Sequence, residues 1–283
     1  MAGSHRCVTS LHAFARTLAL TAPGLLGQGA GPVNSHVQLV IPCYNERRRL
    51  PPFLEELCPA MRKVRGKVTI QVADDGSRAE ERDAVAALID EWRTEYDDVL
   101  APLLALPHRG KGGTILGAWH QVPADASHLA FVDADGAVAA EEVARVLNVI
   151  VDGEASGKVP SDACHFAIRK PTATTIIRRD PLRRIVGRVY YGLVSLIMGT
   201  DIYDPACGLK VVSRAFHDCC GHLLTEQEWA LDIEILARIY HHGFPLREIP
   251  VSWEEKGGSK IVRSDVARML RQIIAVKQRS NGW

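Results

Sequence analysis

The sequence predicts an α/β fold whose sheet is mostly parallel and flanked by helices. Between Val37 and Val151, short apolar segments rich in β-branched residues alternate with longer segments whose apolar residues recur at helical spacing. Strands that are connected through helices lie parallel, and their crossovers are right-handed. From Cys164 onward the alternation is less regular, so we expect a mixed second half of the sheet.

The first half predicts four strands and four helices in alternation. The apolar, β-branched segments place strands at residues 37–41, 67–73, 99–106 and 128–132. The segments between and after them carry apolar residues on one face and place helices at residues 46–64, 79–96, a short stretch after Gly112, and 139–151. Neither a G-x-G-x-x-G motif nor a Walker lysine loop follows the first strand, which argues against NAD and P-loop chemistry.

The second half predicts three more strands and three helices. The strands are placed at residues 164–168, 209–212 and 246–253, and the helices at residues 182–198, 228–242 and 261–277. The helix at 182–198 has a broad apolar face, and five arginines surround its start: Arg178, Arg179, Arg183, Arg184 and Arg188.

Composition and charge bound the possible functions. The net charge of the 283 residues is +1, so the overall charge gives no argument for nucleic acid as a partner. No apolar stretch reaches the roughly 18 residues that a membrane span needs. The seven cysteines form no C-x-x-C pair, which indicates reduced, intracellular thiols.

Residues 1–36 differ from the rest of the chain. They contain Arg6 and Arg16 but no acidic residue, and the first acid of the chain is Glu46. We interpret this segment as a tail outside the fold; an organelle targeting peptide and a remnant of a membrane anchor are the alternatives. The fold is then expected at residues 37–260, followed by an amphipathic helix and tail at 261–283.

The strand at residues 128–132 ends in Asp133-Ala134-Asp135-Gly136. Because strand side chains alternate between faces, Asp133 and Asp135 point the same way at the carboxyl end, where open α/β sheets bind ligands. Two such carboxylates repel each other unless a cation lies between them, and Mg²⁺ or Mn²⁺ prefers oxygen ligands. A solvated turn in which Asp135 caps the next helix is the alternative.

The first and second strands also end in polar side chains. Tyr44 and Glu46 follow Pro42, and they suit stacking on a nucleobase and binding of ribose hydroxyls. Asp74 and Asp75 close the second strand, and carboxylates accept hydrogen bonds from the N–H groups of uracil or guanine. A plain turn or helix cap is the alternative at both places.

A basic, glycine-rich turn, His108–Gly113, follows the third predicted strand. Its glycines allow close backbone approach, and Lys111 places positive charge near a phosphate at a helix start. Three strand ends therefore suit a base, a ribose and a diphosphate, and the fourth suits a metal ion. This convergence predicts a nucleotide-diphosphate sugar as ligand, with the metal neutralising the diphosphate leaving group.

Together these motifs resemble the inverting family 2 glycosyltransferases with the GT-A fold. The second half is similar to the dolichyl-phosphate glucosyltransferases, and the polyprenyl-phosphate mannosyltransferases are less close. Four motifs carry this similarity: the segment Asp204–Lys210, Trp229-x-x-Asp232-x-Glu234, Val251-x-Trp253-x-Glu255 and Gly258-Ser259-Lys260. Gly136 follows the glucosyl-type pattern, because mannosyl-type relatives usually carry another residue there.

The resemblance implies transfer of glucose, with inversion, from UDP-glucose to dolichyl or another polyprenyl phosphate. It implies a peripheral position on the cytosolic face of a membrane, the endoplasmic reticulum in a eukaryote. Asp133 and Asp135 are expected to hold Mg²⁺ or Mn²⁺. The residues expected around the nucleotide sugar are Pro42, Tyr44, Glu46, Asp74, Asp75, Lys111 and Arg169. The acceptor phosphate is expected at Arg178, Arg183, Arg184, Ser259 and Lys260.

The acceptor class has a chemical consequence. A phosphate monoester is largely ionised at neutral pH, so a dedicated general base is unnecessary. An arginine-rich segment that leads into a wide apolar face is typical of a membrane-surface helix, and ordinary core packing is the alternative for that face.

Three departures from the family pattern leave other functions open. Where the family usually has Asp-Thr-Gln-Cys-Gly, this chain has Asp-Pro-Ala-Cys-Gly at residues 204–208. His108 replaces a family asparagine, and Leu116 lies in the region where an arginine is often found. The alternatives are GDP-mannose as donor, a soluble acceptor, or a non-catalytic membrane-associated scaffold.

The sequence leaves the roles of an acidic pair and of a Cys/His cluster undecided. Asp232 and Glu234 lie two residues apart on a predicted helix, so we expect one to line the site and the other to pair with an arginine. The only dense Cys/His cluster is His217, Cys219, Cys220 and His222. A zinc site is possible there, although the spacing fits no standard pattern, and partly buried thiols with surface histidines are favoured.

Overall fold

The computed structural model describes residues 35–256, 263–280 and 282, without the side chains of residues 181–183 and 263–269. This part of the chain contains nine strands and eight α-helices. The strands are β1 (His36–Cys43), β2 (Lys67–Asp75), β3 (Leu104–Leu106), β4 (His128–Val132), β5 (Cys164–Ile168), β6 (Ile177–Arg178), β7 (Leu209–Ser213), β8 (Leu246–Pro250) and β9 (Trp253–Glu254). The helices are α1 (Leu50–Met61), α2 (Ala79–Tyr96), α3 (Gly110–Trp119), α4 (Ala140–Ala155), α5 (Pro181–Met198), α6 (Arg214–Cys220), α7 (Leu231–His242) and α8 (Arg263–Ser280).

The large sheet has the strand order β3-β2-β1-β4-β7-β5-β8. Neighbouring pairs are parallel except at β7, which runs antiparallel to both β4 and β5. The prediction of a mostly parallel sheet with a mixed second half is therefore confirmed. Strands β6 and β9 form a separate parallel pair.

Helices cover both faces of the sheet. Apolar residues of α1, α2 and α4 pack against one face, and those of α3, α6 and α7 against the other. Strand β1 shows the reason, since Leu39 and Ile41 point to the first core while Val40 points to the second. A strand buried on both sides carries continuous apolar sequence rather than alternation.

A third, smaller core lies among α5, α7 and α8. It contains Val194 and Met198 of α5, Ile233 of α7, and Ile273 and Val276 of α8. The described side chains of α8 thus pack with the rest of the compact unit Pro32–Trp283. The domain boundary at residue 260 stays a prediction.

Helix α1 begins at Leu50 rather than at Glu46. Asn45 adopts a left-handed backbone conformation (φ 53°), and the residues after it form a turn in which the backbone N–H of Arg49 donates to the carbonyl of Glu46 (3.1 Å). Two prolines, Pro51 and Pro52, then start the helix, where a missing N–H is harmless.

Prolines also shorten two of the predicted strands. Residues 99–101 pair with Ile70, but Pro102 interrupts the ladder, so β3 begins only at Leu104. Strand β8 ends at Pro250, and the chain then forms β9. The sequence analysis missed α6 and the β6–β9 pair, whose segments are too short to show a period.

Among the described residues, no helix has the length and hydropathy that crossing a membrane requires. The six described cysteines form no disulfide with one another.

Candidate active site

The carboxyl ends of β1, β2 and β4 lie side by side. The register pairs Cys43 with Asp74 and Val40 with Phe131, so Tyr44, Asp75 and Asp133 all leave the sheet at the same edge. The structure therefore brings together strand ends from three distant parts of the sequence.

Asp75 holds the basic turn in place. Its Oδ1 accepts the backbone N–H of Arg109 (2.7 Å) and its Oδ2 that of Gly110 (3.1 Å), while Nδ1 of His108 lies 3.0 Å from Oδ2. Gly110 has φ +85°, and an added Cβ would lie 2.7 Å from the carbonyl oxygen of Gln227. The structure thus shows Asp75 orienting the turn, and its predicted contact with a nucleotide stays a prediction.

Asp74 keeps one acceptor available. Its Oδ2 accepts the backbone N–H of Ser77 (3.0 Å), which is the turn that the alternative interpretation expected. Its Oδ1 is buried and has no hydrogen-bond partner in the described part of the chain. Since buried carboxylate oxygens are normally bonded, this atom is placed to accept an N–H donor from a ligand.

Tyr44 and Glu46 lie beside these acids. The Tyr44 ring is 41% exposed and stacks on His108 with ring centroids 4.7 Å apart. Glu46 is buried and accepts from Nε of Arg49 (2.7 Å). Pro42 lies one residue before the end of β1, paired with Ala73 of β2.

The predicted acid pair lies beside a partly buried cation, Lys111. Nζ of Lys111 lies 2.6 Å from Oδ1 of Asp133 and within 5.5 Å of the ring centres of Phe131 and Trp229. Burial, followed by the charge of Asp133, raises the pKa of Asp135. The backbone N–H of Ala137 and the charges of Arg49 and Lys111 lower it, but by less.

Arg49 was not predicted as a site residue. Its charge acts on both Asp135 and Asp133, and it sits at the start of α1 next to Glu46. The run of three arginines before Leu50 was the available signal for a cation at this edge.

The acid pair fits a hard divalent cation. The raised pKa of Asp135 reports two carboxylates in a partly buried place that repel each other. Carboxylate oxygens are the ligands that Mg²⁺ and Mn²⁺ prefer. Asp133 and Asp135 are therefore the residues that would hold such an ion.

Gly208 fixes the space around Asp133. The backbone N–H of Asp133 donates to the carbonyl of Gly208 (3.0 Å), and a Cβ on Gly208 would overlap the Asp133 carboxylate. Only glycine allows this approach of β7 to the acid pair. Although the segment 204–208 was singled out in the sequence, this requirement was not foreseen.

Gly208→Ala is therefore expected to displace the Asp133 carboxylate and lower sugar transfer about 100-fold, the cost of a misplacement near 1 Å. The measurement is turnover at saturating donor, with thermal unfolding recorded in parallel. Gly282→Ala is the control, because a Cβ at Gly282 would make only an ordinary contact, 3.6 Å from the carbonyl oxygen of Arg279. Equal turnover of Gly208→Ala and wild type would show that Asp133 tolerates the shift.

Asp232 and Glu234 point to different surroundings, as predicted. Asp232 is buried near Lys210 and Lys111; burial raises its pKa, and these two cations oppose the rise. Glu234 is buried and accepts the backbone N–H groups of Thr225 (2.8 Å) and Glu226 (2.7 Å).

Glu234 also lies 3.7 Å from Nη2 of Arg279 in α8, so it is the acid of the two that pairs with an arginine. Glu234 anchors the loop that packs on the basic turn, where the N–H of Gly113 donates to the carbonyl of Gln227 (2.8 Å). It is therefore a structural support of the turn that carries Lys111.

Arg169 is clamped by Asp204. Its Nε and Nη2 donate to the two carboxylate oxygens (2.6 and 2.8 Å), and Nη2 also donates to the carbonyl of Ala206 (2.9 Å) and to the hydroxyl of Tyr191. The Asp204 side chain is fully buried and the Arg169 side chain is 11% exposed. The pair holds the segment that ends at Gly208.

A cavity of about 850 Å³ adjoins this segment. Five basic residues and two acidic ones, Asp201 and Glu248, line it together with Tyr191 and Tyr203. The basic residues are Arg169, Lys170, Arg179, Arg184 and Arg188. Asp133 and Asp135 are not among the residues that line this cavity. The Asp204–Gly208 segment connects the two places, because Asp204 binds Arg169 of the lining and Gly208 contacts Asp133.

The predicted acceptor residues fall into three groups. Arg184 lines the cavity, whereas Arg178 is largely exposed on β6, 3.4 Å from Glu254. The side chain of Arg183 lies outside the described residues, as do Ser259 and Lys260. Arg179 and Arg188, which the sequence analysis placed in the same arginine cluster, do line the cavity.

One side of α5 is apolar and exposed. Ile185 (59%), Val189 (60%) and Leu196 (79%) recur at helical spacing, and Val186 lies beside them. Val194 and Met198 on the other side belong to the core. Core packing therefore accounts for one side of the helix, and the membrane-surface interpretation of the exposed side stays a prediction.

The sequence of most of this unit matches a known family. Residues 38–220 match the profile of Glycosyl transferase family 2. The chain belongs to glycosyl transferase family 2. It is 30% identical over 260 residues to a dolichyl-phosphate beta-glucosyltransferase of Trichomonas vaginalis, covering 88% of this chain and 75% of the relative. The dolichyl-phosphate beta-glucosyltransferase of Homo sapiens is 26% identical, with 80% of this chain and 69% of that protein covered.

The fold of this glycosyltransferase also has solved counterparts. Glucosyl-3-phosphoglycerate synthase of Mycobacterium tuberculosis superimposes with a TM-score of 0.59 at 14% identity, over 88% of this chain and 82% of that one. The predicted GT-A fold is confirmed. At this identity the likeness establishes the fold alone.

Proposed function

We propose that this glycosyltransferase moves glucose from UDP-glucose to a polyprenyl phosphate such as dolichyl phosphate, with inversion and with a divalent metal ion. The observation that carries the proposal is the set of groups that meets at one edge of the sheet: the unbonded Oδ1 of Asp74, and the Asp133–Asp135 pair with Lys111. The Asp204–Gly208 segment links this edge to the basic cavity. The names of the relatives give the acceptor class.

The donor would lie along the carboxyl ends of β1, β2 and β4. Oδ1 of Asp74 suits an N–H of the uracil ring, and the exposed ring of Tyr44 provides a stacking surface. Lys111 would place a partly buried positive charge near the diphosphate. Burial lowers the pKa of Lys111, but the charges of Asp133 and Asp232 outweigh it and raise that pKa. A protein of the same fold was crystallised with Mn²⁺ and UDP.

The metal ion, held by Asp133 and Asp135, would supply Lewis-acid stabilisation of the departing UDP. Transfer then needs one displacement. An oxygen of the acceptor phosphate forms the new bond to the anomeric carbon while the bond from that carbon to the diphosphate oxygen breaks. Because the attacking phosphate is already ionised, no protein base has to remove a proton.

The acceptor phosphate would enter the basic cavity. Five cationic residues line it against two acids, and even with Arg169 paired to Asp204 the balance stays positive and favours an anion. Arg179, Arg184 and Arg188 come from the segment that begins α5. The exposed apolar side of α5 continues from these arginines, as a chain of apolar lipid beside a charged headgroup requires.

The test is a panel of nucleotide sugars offered to the full chain with a short polyprenyl phosphate and Mg²⁺ or Mn²⁺, with the products detected by mass. The expected result is a hexosyl phospholipid from UDP-glucose. Product from GDP-mannose alone would show that the donor is GDP-mannose, and product only with a soluble acceptor would exclude the lipid. The absence of both transfer and donor hydrolysis would support the scaffold alternative.

We further expect α5 to contact the membrane surface. Val189→Ser combined with Leu196→Ser is predicted to lower partitioning onto vesicles containing anionic lipid about tenfold or more, since each apolar side chain removed from water contributes about 1.5 kcal/mol or more. Vesicle flotation measures this. Val149→Ser is the control, because Val149 is an exposed valine (45%) on another helix, α4. Unchanged flotation of the double variant would exclude α5 as the contact.

A further inference from the structure

The ends of α6 and α7 meet in a cluster of two thiols and an imidazole. The coordinating atoms of Cys219, Cys220 and His242 all lie within 4.8 Å of one another, and Sγ of Cys219 lies 4.0 Å from Nδ1 of His242. Among the described residues it is the one group of three or more His, Cys, Asp or Glu side chains that meets this criterion. The sequence suggested His217 and His222 beside the two cysteines, whereas the fold supplies His242 from another helix.

The cluster lies at the edge of the sheet opposite the acid pair. Helix α6 follows β7, whose last residue Ser213 pairs with His128, the first residue of β4. Helix α7 leads into β8, whose first residue Leu246 pairs with Cys164, the first residue of β5. Asp133 follows the last residue of β4, so a ligand bound at the cluster is separate from the sugar-transfer site.

The two helix ends are fixed against each other. The rings of Phe216 in α6 and Phe244 after α7 pack edge to face with centroids 5.4 Å apart. Gly243 ends α7 in the left-handed conformation (φ 74°), and the backbone N–H of Phe244 donates to the carbonyl of Ile239 (3.0 Å). These contacts hold the backbone that carries the three side chains, so little ordering remains for a bound ion to impose.

The distances are close to those of a bound ion. Zn–S bonds of about 2.3 Å and Zn–N bonds of about 2.0 Å at tetrahedral angles put ligand atoms about 3.5–3.8 Å apart. The present separations, of up to 4.8 Å, exceed that range by about 1 Å. Cys219 and His242 are exposed while Cys220 is buried, so an ion can enter from solvent and keep a fourth position for water.

The donor set selects a thiophilic ion. We propose that Cys219, Cys220 and His242 bind Zn²⁺, or a similar thiophilic divalent cation, and thereby tie α6 to α7. Two thiolates balance the charge of such an ion, and the absence of carboxylates among the three ligands disfavours Mg²⁺ and Mn²⁺.

The test titrates the reduced, chelator-treated full chain with Co²⁺ as a spectroscopic probe and then with Zn²⁺. We expect one equivalent of Co²⁺ to give a sulfur-to-metal charge-transfer band that Zn²⁺ abolishes. Loss of a residue that only supports a metal ligand lowers metal affinity by about 10- to 100-fold. Cys219→Ser and His242→Ala each remove a ligand, so each should lower the affinity further than that. His222→Ala is the matched control, because His222 is an exposed imidazole two residues from Cys220.

A second readout guards against indirect effects. Zn²⁺ should slow alkylation of Cys219 in the wild type but not in His242→Ala, with thermal unfolding of the metal-free variants showing that they fold. The proposal is overturned if no saturable charge-transfer band forms, or if the band survives in Cys219→Ser and His242→Ala. It is equally overturned if Asp135→Asn removes the band, since the ion would then sit at the acid pair.

Discussion

Asp135→Asn is expected to lower sugar transfer by about 100- to 1000-fold, the range seen when a group that stabilises developing charge is removed. The substitution keeps the size of the side chain and removes its charge. Burial and the charge of Asp133 raise the pKa of Asp135, so a bound cation is needed to keep both carboxylates ionised side by side. The amide of asparagine has no negative charge with which to bind that cation. Turnover with UDP-glucose, a polyprenyl phosphate and varied Mg²⁺ or Mn²⁺ measures the effect.

A second measurement separates a lost metal from a distorted fold. The affinity of UDP should rise with Mn²⁺ in the wild type and no longer do so in Asp135→Asn. Asp90→Asn is the control, because Asp90 is a carboxylate on α2 with 73% of its side chain exposed. Should Asp135→Asn retain both turnover and the effect of Mn²⁺, the assignment of Asp135 to the metal would be wrong.

The predicted part of the site is the part that local sequence encodes. Asp133 and Asp135 follow an apolar strand at a spacing of two, and the same logic placed Asp74 and Asp75 at the neighbouring edge. Strand and helix periods are properties of short segments, so β4 and α2 were predicted with the bounds that the structure has. The parallel order of the first four strands then brought these ends together.

The unpredicted part depends on contacts between distant segments. Asp204 binds Arg169, 35 positions away in the sequence. Gly208, the residue before the antiparallel strand β7, contacts Asp133. Nothing in the local composition around Asp75 shows that its oxygens are taken by the backbone of residues 109 and 110. Such roles require the register between strands, which the sequence pattern alone does not give.

Asp204→Asn is expected to lower the free energy of unfolding by about 3–5 kcal/mol, because breaking a buried ion pair leaves its partner charge uncompensated. The Asp204 side chain is fully buried, and besides its two bonds to the guanidinium it accepts the backbone N–H of Arg169 (3.0 Å). Urea unfolding of wild type and variant at neutral pH measures the difference.

The pH dependence of that difference identifies its cause. Burial would raise the pKa of Asp204, but the charge and hydrogen bonds of Arg169 outweigh it and lower the pKa from 3.8 to about 2. A carboxyl group with a lowered pKa in the folded state adds stability above its ordinary pKa and loses it as the pH falls toward the folded value. The gap between wild type and Asp204→Asn should therefore be constant from about pH 7 to 5 and shrink below about pH 4.

Asp98→Asn is the control for the ion pair, because Asp98 pairs with Arg62 on the surface (3.0 Å), where solvent screens the charges. Its loss should change stability by a small fraction of the effect at Asp204. Comparable losses in the two variants would contradict the role of burial.

The double variant Arg169→Met/Asp204→Leu then separates stability from function. Apolar side chains of similar size in place of a buried pair are often neutral for stability, so most of the lost free energy of unfolding should return. Sugar transfer should remain low, because the cavity loses a cation and the chain between Asp204 and Gly208 loses the donor to Ala206. Recovery of transfer together with stability would mean that the pair serves the fold alone, and the basic cavity would have to bind the acceptor phosphate through its remaining arginines.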